Sequence, residues 1–265
     1  MEYAYALILG AVQGLTEFLP VSSSGHLVIL HNFFDIGDID SLAFDVILHL
    51  GTFFALVLAF WENIRGYIAG FFMSFFRPNM RDARQRHAWY ILLATIPAAF
   101  AGYYLEDNIK EMFRNTFSVA IALIAVSILM FFAERYSKKR STMEQMTILD
   151  AFFVGIAQAI ALVPGVSRSG ITIITGMQRN LKREDAAKFS FLLSIPIIFG
   201  AGVKQSLDMG VPDTSSLGIL AVGFFAALVV GYLSIVLFLR FLQNHTLYAF
   251  VVYRILLGIL LLVFF

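Results

Sequence analysis

The sequence contains no cysteine and few charged residues, and both absences restrict the classes of protein it can belong to. Its 265 residues are 59% apolar and 15% aromatic, but only 14% are charged. Without cysteine, thiol chemistry and a disulfide framework are excluded. A formal net charge of +1 gives no sign of nucleic-acid binding. This composition is typical of an all-α polytopic membrane protein rather than a soluble domain.

Apolar runs predict six transmembrane helices. A crossing needs about 20 apolar residues, and suitable runs cover residues 44–60, 88–105, 116–133, 186–203, 216–239 and 246–265. Two further segments, 1–34 and 149–177, are apolar but interrupted by proline and serine, as expected for re-entrant helix–loop–helix pairs. Glu2 stands where a cleavable signal would carry basic residues, so no such signal is expected.

The loops between these segments differ in charge. Most of the 19 Lys and Arg residues lie in loops 61–87, 134–148, 178–188 and 240–245, whereas loops 35–45, 106–115 and 204–215 hold few of them. The positive-inside rule therefore predicts that the first group is cytoplasmic and that the second is outside. Both termini are then expected on the outer side.

The chain also repeats itself, with an offset of 145 residues between Gln13 and Gln158. The same shift places Ser22-x-Ser24-Gly25 on Ser167-x-Ser169-Gly170. Because the loops of the two halves have opposite charge, repeats 1–133 and 149–265 are predicted to insert upside down relative to each other. The prediction is one membrane domain with a cytoplasmic linker at 134–148: six transmembrane helices and two re-entrant pairs in an inverted-topology repeat.

Polar groups are concentrated between Gln13 and His26, in Q-G-L-T-E-F-L-P-V-S-S-S-G-H. Polar side chains at bilayer depth are costly, so this cluster indicates a functional site. The alternative is a kinked membrane helix with satisfied serines. Pro20 is predicted to end a helix over 4–19, and Ser22 or Ser23 to cap a second, short helix. The free N–H groups of such a helix start suit an anion such as phosphate.

In an inverted repeat the two short helix starts meet. Their residues are then the predicted ligands of a phosphate group: Ser22, Ser24, Gly25, Ser167, Ser169 and Gly170. Arg168 adds a permanent charge and a planar fork that can hold two phosphate oxygens. Its structural alternative is a loop arginine that extends to the membrane interface.

Glu17 and His26 are the candidate acid–base and metal-binding residues. Glu17 lies one turn after Gln13 and shares its helix face. Its carboxylate is predicted to bind a hard divalent cation such as Mg²⁺, or alternatively to neutralise Arg168. His26 lies close in sequence to Ser23, where an imidazole suits general acid–base catalysis. The structural alternative is a histidine that only satisfies local hydrogen bonds.

Gln13, Gln158 and Arg254 are secondary candidates for the site. Arg254 lies about 12 Å into the last span at 1.5 Å per residue, where it would pair with Asp45 or Glu17 or reach a phosphate. Asp45 and His49 are one helical turn apart, so they can pair with each other. A structural role is favoured for that pair.

Two segments carry a resemblance to a known family. G-L-T-E-F-L-P-V-S-S-S-G-H at 14–26 and P-G-V-S-R-S-G at 164–170 resemble the signature segments of the undecaprenyl-diphosphate phosphatases of the bacitracin-resistance type, and the resemblance extends to Y-R-I-L-L-G at 253–258. It implies hydrolysis of a C55 polyprenyl diphosphate to the monophosphate, which recycles the lipid carrier for peptidoglycan synthesis. It also implies a divalent cation, Mg²⁺ or Ca²⁺, and a site open to the outer side of the bacterial cell membrane.

The same resemblance suggests roles for the site residues. Arg168 and the cation would hold the diphosphate while the helix starts stabilise the transferring phosphoryl group. Ser23 is the expected nucleophile, with His26 as base and then acid; attack by water and a phosphohistidine at His26 stay open. Gln13 stands where family members often carry Glu, which leaves Glu17 as the one acidic metal ligand expected from this segment.

Two classes of function therefore remain. The enzyme is expected to have a polyprenyl diphosphate and membrane lipids as partners, and the sequence leaves a homodimer open. The alternative is a lipid or small-anion transporter or flippase, because inverted repeats with broken helices serve alternating access in carriers. The set Glu17, Ser23, His26 and Arg168 favours the enzyme, since binding alone does not need a nucleophile and a base.

Overall fold

A computed structural model of the chain describes residues 1–31, 41–113, 115–208 and 217–264. Over these ranges it is helical, without a β-strand. Its helices are α1 (Glu2–Phe18), α2 (Ser23–His31), α3 (Ser41–Ala59), α4 (Trp61–Phe76), α5 (Ala83–Phe113), α6 (Thr116–Tyr136), α7 (Ile148–Ile160), α8 (Arg168–Gln178), α9 (Arg183–Asp208), α10 (Leu217–Asn244) and α11 (Tyr248–Phe264), with a 3₁₀ turn at Met143–Gln145. Residues 35–40 and 209–215, which belong to the predicted outer loops, lie outside the described residues.

Several helices can cross a membrane by length and composition. Four qualify alone: Ala83–Leu105 in α5, Thr116–Tyr136, Arg183–Gln205 in α9 and Leu217–Asn244. They contain the predicted crossings at 88–105, 116–133 and 186–203, and the part of the crossing at 216–239 that the structure describes, residues 217–239. Helices α3 and α4 make a fifth candidate only as a pair, bent by 80°, and α11 is a shorter apolar helix of 17 residues. Over the described residues the protein is therefore all-helical and multi-pass, with four to five candidate spans.

The prediction of a loop at 61–87 was wrong for its first half, because Trp61–Phe76 forms α4. One face of α4 packs on α5, where the Trp89 indole N–H donates to Ser74 Oγ at 3.1 Å and its ring contacts Phe71. The other face leaves large apolar side chains exposed: Ile68, Phe72, Phe75 and Phe76. The loop was inferred as the segment between two predicted spans, and the sign of its charges indicated only its side of the membrane.

Equivalent helices of the two halves pack in equivalent ways. A Cβ added at Gly10 of α1 would lie 2.4 Å from the Gly223 carbonyl oxygen of α10. At the repeat-related Gly155 of α7, a Cβ would lie 2.5 Å from the Ala94 carbonyl oxygen of α5. Glycine at a contact lets two helix backbones approach closely in a membrane. Each half thus supplies the helix against which the first helix of the other half packs.

The main core fixes the end of α1 that carries Glu17. Phe18 is fully buried, and its ring meets that of Phe191 edge to face, with centroids 5.5 Å apart. Phe191 in turn contacts Phe238 of α10. Aromatic packing of this kind adds to the stabilisation that burial gives. The last turn of α1 is therefore held between α9 and α10.

Candidate active site

The two breaks between short helices have the same backbone geometry. Ser22, before α2, has a φ of 75°, and the repeat-related Ser167, before α8, has a φ of 70°. This left-handed conformation is uncommon for serine and costs energy, and such residues cluster at functional sites. In both turns the serine hydroxyl lies 3.3 Å from that of the serine two residues later, Ser24 or Ser169. The sequence repeat is therefore also a repeat of local structure.

The two turns are in direct contact. The Ser169 hydroxyl donates to the carbonyl oxygen of Leu19 at 3.1 Å, which joins the start of α8 to the end of α1. The Gly170 N–H donates to Ser167 Oγ at 3.1 Å and caps α8. The first and second halves therefore meet at the predicted serine-rich segments.

Arg254 of α11 ties these turns together. Its side chain is fully buried, and its guanidinium donates to the carbonyl oxygens of Pro20 at 3.2 Å and of Gly165 and Val166 at 3.1 Å each. It also donates to Ser127 Oγ of α6 at 3.1 Å. The expected partners of Arg254 were a carboxylate or a phosphate. The structure instead gives it main-chain carbonyls of both turns, because each broken helix leaves carbonyls without a helical donor.

Glu17 and Arg168 form an ion pair across the two halves. Arg168 Nη2 donates to Glu17 Oε1, and the two side chains are only 17% and 7% exposed, respectively. The other terminal nitrogen of Arg168, Nη1, is buried and has no hydrogen-bond partner in the described part of the chain. Nη2 of Arg168 is therefore already bonded to Glu17, and Nη1 is available to a ligand.

The second carboxylate oxygen of Glu17 accepts two hydrogen bonds. Gln13 Nε2 donates to Oε2 at 3.0 Å, and the Ser23 hydroxyl donates to the same atom at 2.9 Å. His49 Nε2 lies 3.8 Å from it. A carboxylate that accepts the proton of a hydroxyl, while other groups hold it in place, is the arrangement of a nucleophile with its base.

These groups line a cavity of about 270 Å³ between the two turns. Eight of the predicted residues line it: Glu17, Ser22, Ser23, Ser24, Gln158, Ser167, Arg168 and Ser169. Other predicted residues do not line it: Gln13, Gly25, His26, Gly170 and Arg254. The sequence analysis missed the contribution of α9, whose residues Ile197 to Gln205 form one wall. The small residues G-A-G at 200–202 were the only sign of it.

The expected role of His26 requires a contact with the Ser23 hydroxyl, but both of its ring nitrogens have other partners. Its Nδ1 lies 2.7 Å from the Ser22 carbonyl oxygen, and its Nε2 lies 2.6 Å from the Tyr253 hydroxyl. The imidazole is also stacked on the Tyr253 ring, with an interplanar angle of 4°. Both ring nitrogens are thus engaged by groups other than Ser23, and His26 joins α2 to α11.

His49 occupies the position nearer the carboxylate. Its Nδ1–H donates to the main-chain carbonyl of Asp45 at 2.7 Å, so the pairing expected from their spacing involves the backbone. Its Nε2 faces Glu17, and the residue lines the cavity. The sequence signal was its spacing from Asp45, which pointed to a structural pair rather than to the cavity.

A divalent cation would find one carboxylate in this cavity. No group of three Asp, Glu, His or Cys side chains suited to a metal occurs among the residues that the structure describes, and both oxygens of Glu17 already accept hydrogen bonds. Mg²⁺ is commonly held by one or two carboxylates together with substrate phosphates and water. The donor set thus fits a cation that shares Glu17 with a phosphate ligand, and it does not form a cage of protein ligands.

A comparison with known families assigns the chain. The model of the family described as "Bacitracin resistance protein BacA" matches residues 6–260, which is nearly the whole sequence. This chain belongs to the BacA family. Its two serine-rich turns, predicted from the sequence and joined in the structure, lie within the matched residues.

Curated relatives agree with this assignment over nearly their full lengths. An undecaprenyl-diphosphatase of Methanosphaera stadtmanae is 41% identical over 98% of this chain and 97% of its own. That of Trichlorobacter lovleyi is 43% identical, over 98% and 96%. That of Rubrobacter xylanophilus is 45% identical, over 96% and 95%. All three carry the name of a phosphatase.

Proposed function

We propose that this chain hydrolyses undecaprenyl diphosphate to undecaprenyl phosphate and inorganic phosphate. The observation that carries the proposal is the contact of Arg168, Glu17 and Ser23 in one cavity where the two halves meet. A cation for phosphate, a carboxylate base and a hydroxyl nucleophile are what phosphoryl transfer needs. The relatives named above are phosphatases, and none of these observations favours the transporter alternative. The product recycles the lipid carrier for peptidoglycan synthesis, and this turnover accounts for bacitracin resistance.

The geometry supports Ser23 as the nucleophile and Glu17 as its base. Ser23 Oγ forms a bond to the terminal phosphorus while the bond from that phosphorus to the bridging oxygen breaks, and the hydroxyl proton passes to Glu17 Oε2. Undecaprenyl phosphate leaves. The oxygen of a water molecule then bonds to the phosphorus while the bond to Ser23 Oγ breaks, the proton on Glu17 returns to Oγ, and inorganic phosphate leaves with the protons of the water. Arg168 Nη1 and the N–H groups at the starts of α2 and α8 stabilise the charge on the phosphoryl oxygens. The sequence predicted His26 as the base. In this proposal the base is Glu17 instead.

The membrane arrangement belongs to the same proposal. Six crossings with two re-entrant pairs, α1–α2 and α7–α8, are supported by the matched turns, the exchange of helix partners between halves and the opposite loop charges. In this arrangement repeats 1–133 and 149–265 are inverted, and residues 134–148 are cytoplasmic. The protein then lies in the bacterial cell membrane with its site open to the outer side.

A divalent cation, Mg²⁺ or Ca²⁺, is part of this proposal. When bound at Glu17 it would neutralise part of the negative charge of the diphosphate. Hydrolysis by the purified protein should therefore fall after treatment with a chelator and return with added Mg²⁺ or Ca²⁺.

The sequence left open whether the protein forms a homodimer. The mass of the protein–detergent complex in light scattering distinguishes a monomer from a homodimer.

The test of the function is phosphate release by the purified protein in detergent with undecaprenyl or farnesyl diphosphate. We expect inorganic phosphate and the prenyl monophosphate as products, and loss of both with Glu17→Ala. Binding without release, together with movement of the lipid across a liposome membrane, would overturn the enzyme in favour of the carrier.

Ser23→Ala distinguishes the nucleophiles. If Ser23 attacks, this variant should lose about 10³-fold or more in kcat, because no covalent intermediate can form. Acid-quenched wild-type enzyme should carry label from a substrate with ³²P in its terminal phosphate, and the variant should not. Substantial activity of Ser23→Ala would instead show attack by water or by another side chain.

A further inference from the structure

Gln158 of α7 is a buried amide without a partner at the edge of the cavity. The residue is 2% exposed and lines the cavity. Neither its Nε2 nor its Oε1 has a hydrogen-bond partner among the described residues. Because an unsatisfied buried amide destabilises the folded state, such groups are rare and call for a specific explanation.

The repeat shows why this amide is unpartnered. The equivalent residue in the first half, Gln13, gives its Nε2 to Glu17, four residues later on the same helix face. Four residues after Gln158 stands Leu162, which offers no acceptor. Leu162 also lines the cavity. The second half therefore keeps the glutamine but not its intramolecular partner.

The unpartnered donors of the second half converge on one space. Arg168 Nη1 is buried without a partner in the described chain, as is the donor Nε2 of Gln158, and both residues line the same cavity. Glu17, the acidic residue among those that line the cavity, already accepts from Arg168, Gln13 and Ser23. A ligand rich in acceptor oxygens would satisfy the remaining donors, and a diphosphate is such a ligand.

We propose that Gln158 is a substrate-binding residue, whose amide N–H donates to a non-bridging oxygen of the diphosphate that Arg168 Nη1 also contacts. The inference rests on the proposed function, to which it adds a residue that recognises the phosphate groups. A neutral amide supplies a donor without a second positive charge, so it binds the diphosphate without competing with Arg168 for Glu17.

A structural glutamine in the same protein provides a matched control. Gln85 of α5 is 1% exposed, but both of its amide atoms have partners. Its Oε1 accepts from the Asn79 N–H at 2.8 Å, and its Nε2 donates to the Arg77 carbonyl oxygen at 3.1 Å. Leucine at this position removes hydrogen bonds that the fold uses, whereas leucine at Gln158 removes an amide that the fold does not use.

The experiment compares Gln158→Leu and Gln85→Leu in detergent by thermal unfolding and by kinetics. We expect Gln158→Leu to unfold at or above the wild-type Tm and to lose about 10- to 100-fold in kcat/KM. Gln85→Leu should unfold at a lower Tm and keep the wild-type KM. The Tm increase caused by a methylene-bisphosphonate analogue of farnesyl diphosphate should persist in Gln85→Leu and largely disappear in Gln158→Leu.

The outcomes separate this inference from the proposed function. An active wild type with unchanged kcat/KM in Gln158→Leu would overturn the role of Gln158 and leave the phosphatase standing. A wild type that binds the analogue through Gln158 but releases no phosphate would overturn the phosphatase alone. If the leucine variant does not fold, Gln158→Glu decides: its charge should weaken binding of the analogue at least tenfold, and undiminished binding would refute the inference.

Discussion

The two serine-rich turns of this BacA protein have the same backbone conformation but carry different reactive side chains. Ser22 and Ser167 share a left-handed φ and the same contact to a second serine. At the next position, however, the first turn has Ser23 and the second has Arg168. Likewise, Leu162 stands where the first half has Glu17. The repeat thus supplies a common scaffold, while the positions at which the halves differ supply the groups that we propose to react.

This difference makes the site dependent on both halves. The carboxylate and the hydroxyl come from the first half, and the guanidinium that pairs with that carboxylate comes from the second. A symmetric pair of turns would place two carboxylates or two arginines together, and like charges at short range in a buried site repel. Sequence divergence between the repeats therefore permits a neutral pair that a phosphate can enter.

The largest effect should come from removing the charge of the second turn. Arg168→Ala is expected to lower kcat/KM by about 10³-fold or more, because an arginine on a transferring phosphoryl group is worth that much. Since alanine leaves Glu17 buried without its partner, Arg168→Lys, which keeps the charge but not the fork, is the second variant. It should still lose about 10²-fold.

Phosphate release measures both Arg168 variants. Arg65→Ala is the control, because Arg65 pairs at the surface with Glu62 and is 70% exposed. It should match the wild type. Activity of Arg168→Ala near that of Arg65→Ala would show that the second turn contributes no charge to catalysis.

A smaller effect is expected from the arginine that holds the turns together. Arg254→Gln removes donors from carbonyl groups of both turns, at a cost of roughly 3 kcal/mol, which corresponds to a Tm lower by about 6–12 °C for a chain of this size. Activity should fall about 10-fold, because the turns lose their alignment, and Arg254→Lys should restore part of both. Loss of activity without a change in Tm would instead mean that Arg254 contacts the substrate.

The smallest effect is expected on the Tm of variants at Gly25 and Gly170, the glycines that follow the serines of the two turns. A Cβ at Gly170 would lie 3.1 Å from Ser167 Oγ, whereas a Cβ at Gly25 would lie 3.5 Å from Ser22 Oγ. Gly170→Ala is therefore expected to lower the Tm by a few degrees, at a cost of about 1 kcal/mol. Gly25→Ala should lower it less, since its contact is an ordinary van der Waals distance. Thermal unfolding of the two variants side by side is the measurement, and equal shifts would refute the difference in packing.

Much of this fold could be predicted from local signals. Pro20 marked the break after α1, because proline cannot continue the hydrogen bonds of a helix, and α1 ends at Phe18. The length of the apolar runs located four of the spans, since a helix that crosses a membrane needs about 20 apolar residues in contact with lipid or protein. Helix α4 was missed, because its short apolar run lies among charged residues and was taken as part of the loop between two predicted spans. Its 80° bend against α3 has no single-residue signal.

The candidate site was only partly predictable for a different reason. Glu17, Ser23 and Arg168 stood out because polar residues are rare in an apolar chain. Which groups the rings of His26 and His49 face depends on how α2 and α3 are rotated about their axes, and packing sets that rotation. His26 was favoured because it lies close to Ser23 in sequence. Its ring instead stacks on Tyr253, far away along the chain.

By itself, the sequence determined the apolar spans, the two proline- and serine-containing breaks and the repeat that relates them, because each follows from residue type and spacing along the chain. Only the tertiary structure decided which groups meet. It paired Glu17 with Arg168, gave Arg254 the carbonyls of both turns and left the amide of Gln158 without a partner among the residues that the structure describes. These contacts join residues distant in sequence, and their distances are set by the packing of entire helices.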